Sequence, residues 1–119
     1  MSFKLNRSKE STTDIYAHGD RREGGEFVTY SVSCQEEGAV VDLCLIVFQD
    51  GPVKDVGING VSVEDLLDIC SHRLQCFQTG PYACKENESA IQLIQLARTS
   101  LDNRTADRKR REVEGLMQP

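Results

Sequence analysis

Between Ser62 and Phe77 the chain carries an apolar stripe that only a helix can use. Val63, Leu66, Leu67, Cys70, Leu74 and Phe77 follow one another at spacings of 3, 1, 3, 4 and 3, which places them along one helical face. Ser62-Val63-Glu64-Asp65 resembles a capping box, with acidic residues where the amino end of the helix dipole favours them. Gly80-Pro81 ends the pattern, since Gly suits a left-handed cap and Pro cannot continue a helix. A second helix is predicted from Cys84 or Lys85 to about Arg111, with Ala90, Ile91, Ile94, Ala97, Arg98 and Leu101 on its stripe. So short a connection makes the two helices antiparallel, a helical hairpin over 62–111.

Ahead of the hairpin the period changes from helical to alternating. Phe27 to Cys34 is β-branched and alternates, which predicts a strand with Val28, Tyr30, Val32 and Cys34 on one face. Gln35-Glu36-Glu37-Gly38 reads as a turn, and Val40 to Phe48 as a second, more hydrophobic strand. Asp50-Gly51-Pro52 ends it, and Val53 to Ile58 is expected to form a third short strand. A hairpin of two strands is marginal alone, so the sheet needs helices or another chain to pack against. Residues 1–25 are polar and end in Gly24-Gly25; they are expected to be a mobile arm or a marginal edge strand. Residues 112–119 are expected to fray. The fold class that follows is α+β: a small N-terminal antiparallel β-sheet, then a C-terminal antiparallel two-helix hairpin. Residues 26–111 are expected to form one domain, with the sheet over 26–58 and the hairpin over 62–111.

Charge narrows the choice of partners. The formal net charge is −5 over 119 residues, and no apolar run approaches the roughly 20 residues of a membrane-spanning helix. The exception to the acidic balance is Arg98 to Arg111, with six basic and two acidic residues. An acidic chain with one basic patch is a poor binder of long nucleic acid, yet it can hold a small phosphorylated ligand locally. The five cysteines, Cys34, Cys44, Cys70, Cys76 and Cys84, are an odd number. With a polar amino end they are read as reduced thiols in a cytoplasmic protein. The sharper reading of Cys70, His72, Cys76 and Cys84 as metal ligands fits no common zinc spacing, so no metal is expected. His18, His72 and the cysteines match no nucleophile elbow, phosphate loop or dinucleotide fingerprint, so no catalytic residue and no cofactor are assigned.

Arg104 and Arg108 are the better constellation. They stand four apart, hence on one helix face, and only Arg108 has an acidic residue at that spacing, Glu112. They are either a solvated basic face or an anion clamp, since guanidinium matches phosphate bidentately. Phe77 and Asn87 flank the Gly80-Pro81 turn. Phe77 is either a core residue closing the hairpin or a platform on which a nucleobase stacks, with the Asn87 amide for the base edge. Asn87 and Arg104 are separated by about 25 Å along one helix. A mononucleotide-sized ligand cannot span that distance. Two hairpins packed antiparallel bring the tip of one beside the far end of the other, and a two-fold dimer then makes two equal pockets.

The residues Phe48-Gln49-Asp50-Gly51-Pro52-Val53-Lys54-Asp55-Val56-Gly57-Ile58-Asn59-Gly60, then Glu64-Asp65-Leu66-Leu67, Arg73-Leu74, Phe77-Gln78, Gly80-Pro81-Tyr82 and Cys84-Lys85-Glu86-Asn87, resemble a phage family. It is the Thoeris anti-defence sponge family, whose helical hairpin is shared with a related anti-CBASS sponge. The resemblance covers about residues 27–111. It implies a homo-oligomer, a dimer or a hexamer built as a trimer of dimers, that sequesters a cyclic nucleotide immune signal without degrading it. The signal is above all glyco-cyclic ADP-ribose; some members also hold cyclic di- or trinucleotides in separate pockets. It implies action in the cytoplasm of the infected bacterial host, with no membrane and no nucleic acid as partner. Phe77 and Asn87 match the family's adenine-contacting aromatic and amide, and Arg104 and Arg108 its phosphate-binding arginines. Asn59 is the one candidate for a second, trinucleotide-type pocket. The contrasting readings are an enzyme that destroys such a signal and a small nucleic-acid-binding regulator working through Arg98–Arg111.

Overall fold

The computed structural model describes residues 1–115, which divide into two compact units, the first running from Met1 to Ser62 and the second beginning at Val63. In the first unit four antiparallel strands lie in sequence order: β1 (Ser2–Lys4), β2 (Asp14–His18), β3 (Thr29–Glu36) and β4 (Ala39–Val47). The β3–β4 hairpin expected from the alternating pattern is present. Its loop is the two residues Glu37 (φ 50°) and Gly38 (φ 80°), between the paired Glu36 and Ala39. Two consecutive positive φ angles match the twist of the flanking strands, which is why Gly follows Glu here.

Two expectations change. Of the two readings of residues 1–25, the marginal edge strand holds for β1, three exposed residues at the sheet edge, while the mobile arm gives way to an inner strand, β2. Ser2, Phe3 and Lys4 pair with His18, Ala17 and Tyr16, and β2 pairs with β3 along its whole length. The β2 stretch is short and carries three polar residues among five, so its composition hides it, yet Ala17 is 1% exposed. The third strand expected over 53–58 is instead a single helical turn, α1 (Val53–Val56). Pro52 holds φ at −65° and its carbonyl accepts from Asp55 and Val56, while Gly57 (φ 74°) ends the turn. Its two β-branched residues, Val53 and Val56, do not outweigh a proline at one end and a glycine at the other.

The face reading of β3 also changes. Val28 is buried, but the most buried residues within β3 are Ser31 and Ser33; Tyr30, Val32 and Cys34 are half-buried. A bulge between Val32 and Ser33 leaves Leu43 as the extra residue on β4. The Ser31 hydroxyl is satisfied by His18, whose Nε2 lies 2.7 Å away and whose Nδ1 lies 2.9 Å from Ser2 Oγ. No carboxylate is hydrogen-bonded to His18 among the described residues, so the group is a polar strap across three strands.

The second unit is the helical hairpin, α2 (Val63–Phe77) and α3 (Lys85–Gly115). The buried line on α2 lies about one residue away from the expected stripe: Ser71 is buried while Val63 and Cys70 are exposed. Leu67, Ser71, Leu74 and Gln78 follow a 3-4 spacing toward α3, whose Ile91 is 6% exposed. Arg98 on α3 donates to Asp68 on α2 at 3.0 Å and pairs with Asp102. The Asp68 hydrogen bond chiefly raises the Arg98 pKa above its ordinary value. Of the expected frayed tail, residues 112–115 continue α3 and residues 116–119 lie outside the described residues. Among the described residues no helix is long and apolar enough to cross a membrane.

Candidate ligand-binding site

The hairpin tip is built tightly. Gln78 donates through Nε2 to the Cys84 carbonyl and accepts from the Cys84 amide, both at 3.0 Å. This two-way clasp fixes the chain across Gly80-Pro81 and sets where α3 begins. Phe77, half-buried at the end of α2, meets Tyr82 edge-on with ring centroids 6.4 Å apart. Asn87, half-buried in the first turn of α3, donates weakly to the Tyr82 carbonyl at 3.4 Å. The structure therefore brings Phe77 and Asn87 to one place, on either side of Tyr82. Arg73 and Tyr82 stand among the resembling motifs but carry no site role in the sequence analysis. The Arg73 guanidinium carbon sits 5.2 Å from the Phe77 ring centroid, and Tyr82 is 73% exposed. The signal for Arg73 is its position one turn before Phe77 on the same face.

Arg104 and Arg108 lie one turn apart on α3, both exposed. The basic stretch divides sharply. Arg98 is paired with Asp68 and Asp102, and Arg110 and Arg111 are both paired with Asp107. Arg104, Arg108 and Lys109 have no ion pair among the described residues, and the contact with Glu112 open to Arg108 is not made. Arg104 and Arg108 are thus exposed cations with their full capacity for an anion. α3 is unbroken between Asn87 and Arg104, so the distance between tip and arginines within one chain is the roughly 25 Å of a straight helix. At about 100° per residue, Leu93, Leu96, Arg104 and Arg108 fall within one third of the helix circumference. Ile91, the buried residue, is on the opposite side. Leu93 and Leu96 are 63% and 65% exposed, so an apolar stretch precedes the two arginines along one uncovered face.

Asn59 lies in the other unit, and its amide is fully engaged there. Its Oδ1 accepts from the Asp50 amide and its Nδ2 donates to the Asp50 carbonyl, each at 2.8 Å. Its own backbone N–H donates to Gln49 Oε1 at 3.0 Å, and Gln49 Nε2 donates to the Gly57 and Gly51 carbonyls. Arg22 grips the Asp50 carboxylate at 3.1 Å, which raises the Arg22 pKa. The side-chain geometry gives Asn59 a loop-holding task.

A curated protein, Thoeris anti-defense 1 of Bacillus phage SBSphiJ7, is 45% identical to this chain over 73 residues. Over that stretch the chain is similar to a Thoeris anti-defence protein. The match covers 61% of this chain and 51% of that relative, so the chain spans about half the relative's length. No protein-family model matches the chain. The sheet-then-helices order of the chain agrees with the α+β arrangement expected from the sequence.

Proposed function

We propose that this chain is an anti-defence sponge. It binds and withholds a cyclic nucleotide immune signal, a cyclic ADP-ribose isomer, in the cytoplasm of a phage-infected bacterium, and leaves the signal chemically intact. The observation that carries this reading is the exposed pair Arg104 and Arg108, without ion pairs among the described residues, with Arg104 about 25 Å from Asn87 on one continuous helix. The relationship to a protein named for Thoeris anti-defence supports the biological context.

The proposed pocket is shared by two copies of the hairpin packed antiparallel. Phe77 of one copy stacks on the adenine and Asn87 reads its edge; Arg104 and Arg108 of the other hold the two phosphates. Leu93 and Leu96, exposed between these ends, are the surface that a second copy covers. Dimers of this kind are the unit from which a hexamer is assembled, and cyclic di- or trinucleotides would need a separate pocket. The amide of Asn59 is already committed to Asp50, which weighs against its serving there.

The test uses the full chain and glyco-cyclic ADP-ribose. Incubation should deplete the free nucleotide nearly one for one with chains. Heating the protein should release a nucleotide of unchanged mass. Recovery of a hydrolysed or linear product would make the chain an enzyme, and failure to deplete the nucleotide would remove the binding reading.

A further inference from the structure

We propose that His72 and Cys76 form a two-donor site for a thiophilic divalent metal ion such as Zn(II) or Cd(II). The pair stands four apart on α2, so both side chains project from one face. Cys76 Sγ lies 3.7 Å from His72 Nε2 and 4.0 Å from Nδ1. Zinc bonds of about 2.3 Å to sulfur and 2.0–2.1 Å to nitrogen, opened to a tetrahedral angle, need an S···N separation of roughly 3.6 Å. The 3.7 Å separation between Sγ and Nε2 is close to that span, although the ring must turn before Nε2 faces the ion. Both side chains are exposed, so a small rotation of the ring suffices to aim Nε2 at the ion.

The pair opens into a surface cavity lined by Asp68, Ile69, His72, Arg73 and Cys76. Asp68 is held by Arg98, and no third His, Cys, Asp or Glu completes a cluster among the described residues. Water fills the remaining coordination positions. Arg73 opposes the ion by its charge, which keeps the site weak and reversible. On binding, the thiol gives its proton to solvent and the thiolate bonds the metal. Cys70 and Cys84 are also exposed, but no histidine lies against either among the described residues.

The experiment titrates the full chain, its thiols kept reduced by a phosphine, with Cd(II) alone and follows the thiolate-to-cadmium ultraviolet band. Wild type should show a saturable band, competed away by Zn(II). Cys76→Ser should lose it and His72→Gln should bind at least about tenfold more weakly, while Cys70→Ser and Cys84→Ser behave as wild type. The proposal is overturned if Cys76→Ser keeps the full band, or if His72→Gln binds as tightly as wild type. The second variant retains every thiol, so it separates chelation from simple thiol capture.

Discussion

Replacing Arg104 and Arg108 together by Ala should weaken binding of glyco-cyclic ADP-ribose by at least about a hundredfold. Each charge-assisted contact to phosphate contributes on the order of 1.5–3 kcal/mol, so losing both costs about 3–6 kcal/mol. The fold should be nearly untouched. Both side chains are exposed and neither makes an ion pair among the described residues, unlike Arg98, Arg110 and Arg111. Calorimetric titration beside a thermal melt reads both quantities. Lys at either position should restore only part of the affinity, because an ammonium cannot make the bidentate fork. Undiminished binding by the double variant would place the phosphates elsewhere.

Gly60→Ala should be the most damaging single-methyl change in the first unit. A Cβ at Gly60 would stand 2.4 Å from the Phe48 carbonyl carbon and oxygen and 2.7 Å from the Gln49 nitrogen. All three are backbone atoms, so no side chain can swing aside. They belong to the parallel bridge in which the Gln49 amide donates to Val61 and the Val61 amide donates to Val47, both at 2.9 Å. Making room breaks that bridge or pushes 48–49 away, at a cost of roughly 2–3 kcal/mol. The expected readout is a melting temperature lower by roughly 10 °C. A melt within about 2 °C of wild type would mean the loop relaxes freely. Gly38→Ala offers a contrast: its Cβ meets nothing within 4 Å, and only the positive φ of 80° resists the change.

What could be read from the sequence followed the strength of each local signal. The hairpin of helices was legible because Leu67, Leu74 and Ile91 recur at helical spacing and Gly80-Pro81 punctuates them. Its contact line was offset because Ser71, which does not register as apolar, is the buried residue of α2. The β3–β4 pair was legible from alternation, while β2 was not. Its residues are ordinary, and what recruits them is pairing with β3, a contact far along the chain. The run Val53 to Ile58 looked extended by propensity, but Pro52 and Gly57 set the backbone. At the candidate site the residue types and the helical distance from Asn87 to Arg104 could be read in advance. Which arginines are left free could not, since that depends on Asp68 and Asp107 reaching Arg98, Arg110 and Arg111.

The shared pocket is tested most directly by mixing two defective chains. One chain carries Phe77→Ala, which removes the stacking platform. The other carries Arg104→Ala and Arg108→Ala. In a mixed dimer one pocket collects both defects and the other collects neither. Binding of glyco-cyclic ADP-ribose to the purified mixed dimer should therefore recover to one ligand per dimer at near wild-type affinity, although each parent alone binds poorly. A mixed dimer that binds no better than its parents would put the base and phosphate contacts in the same chain and contradict the account.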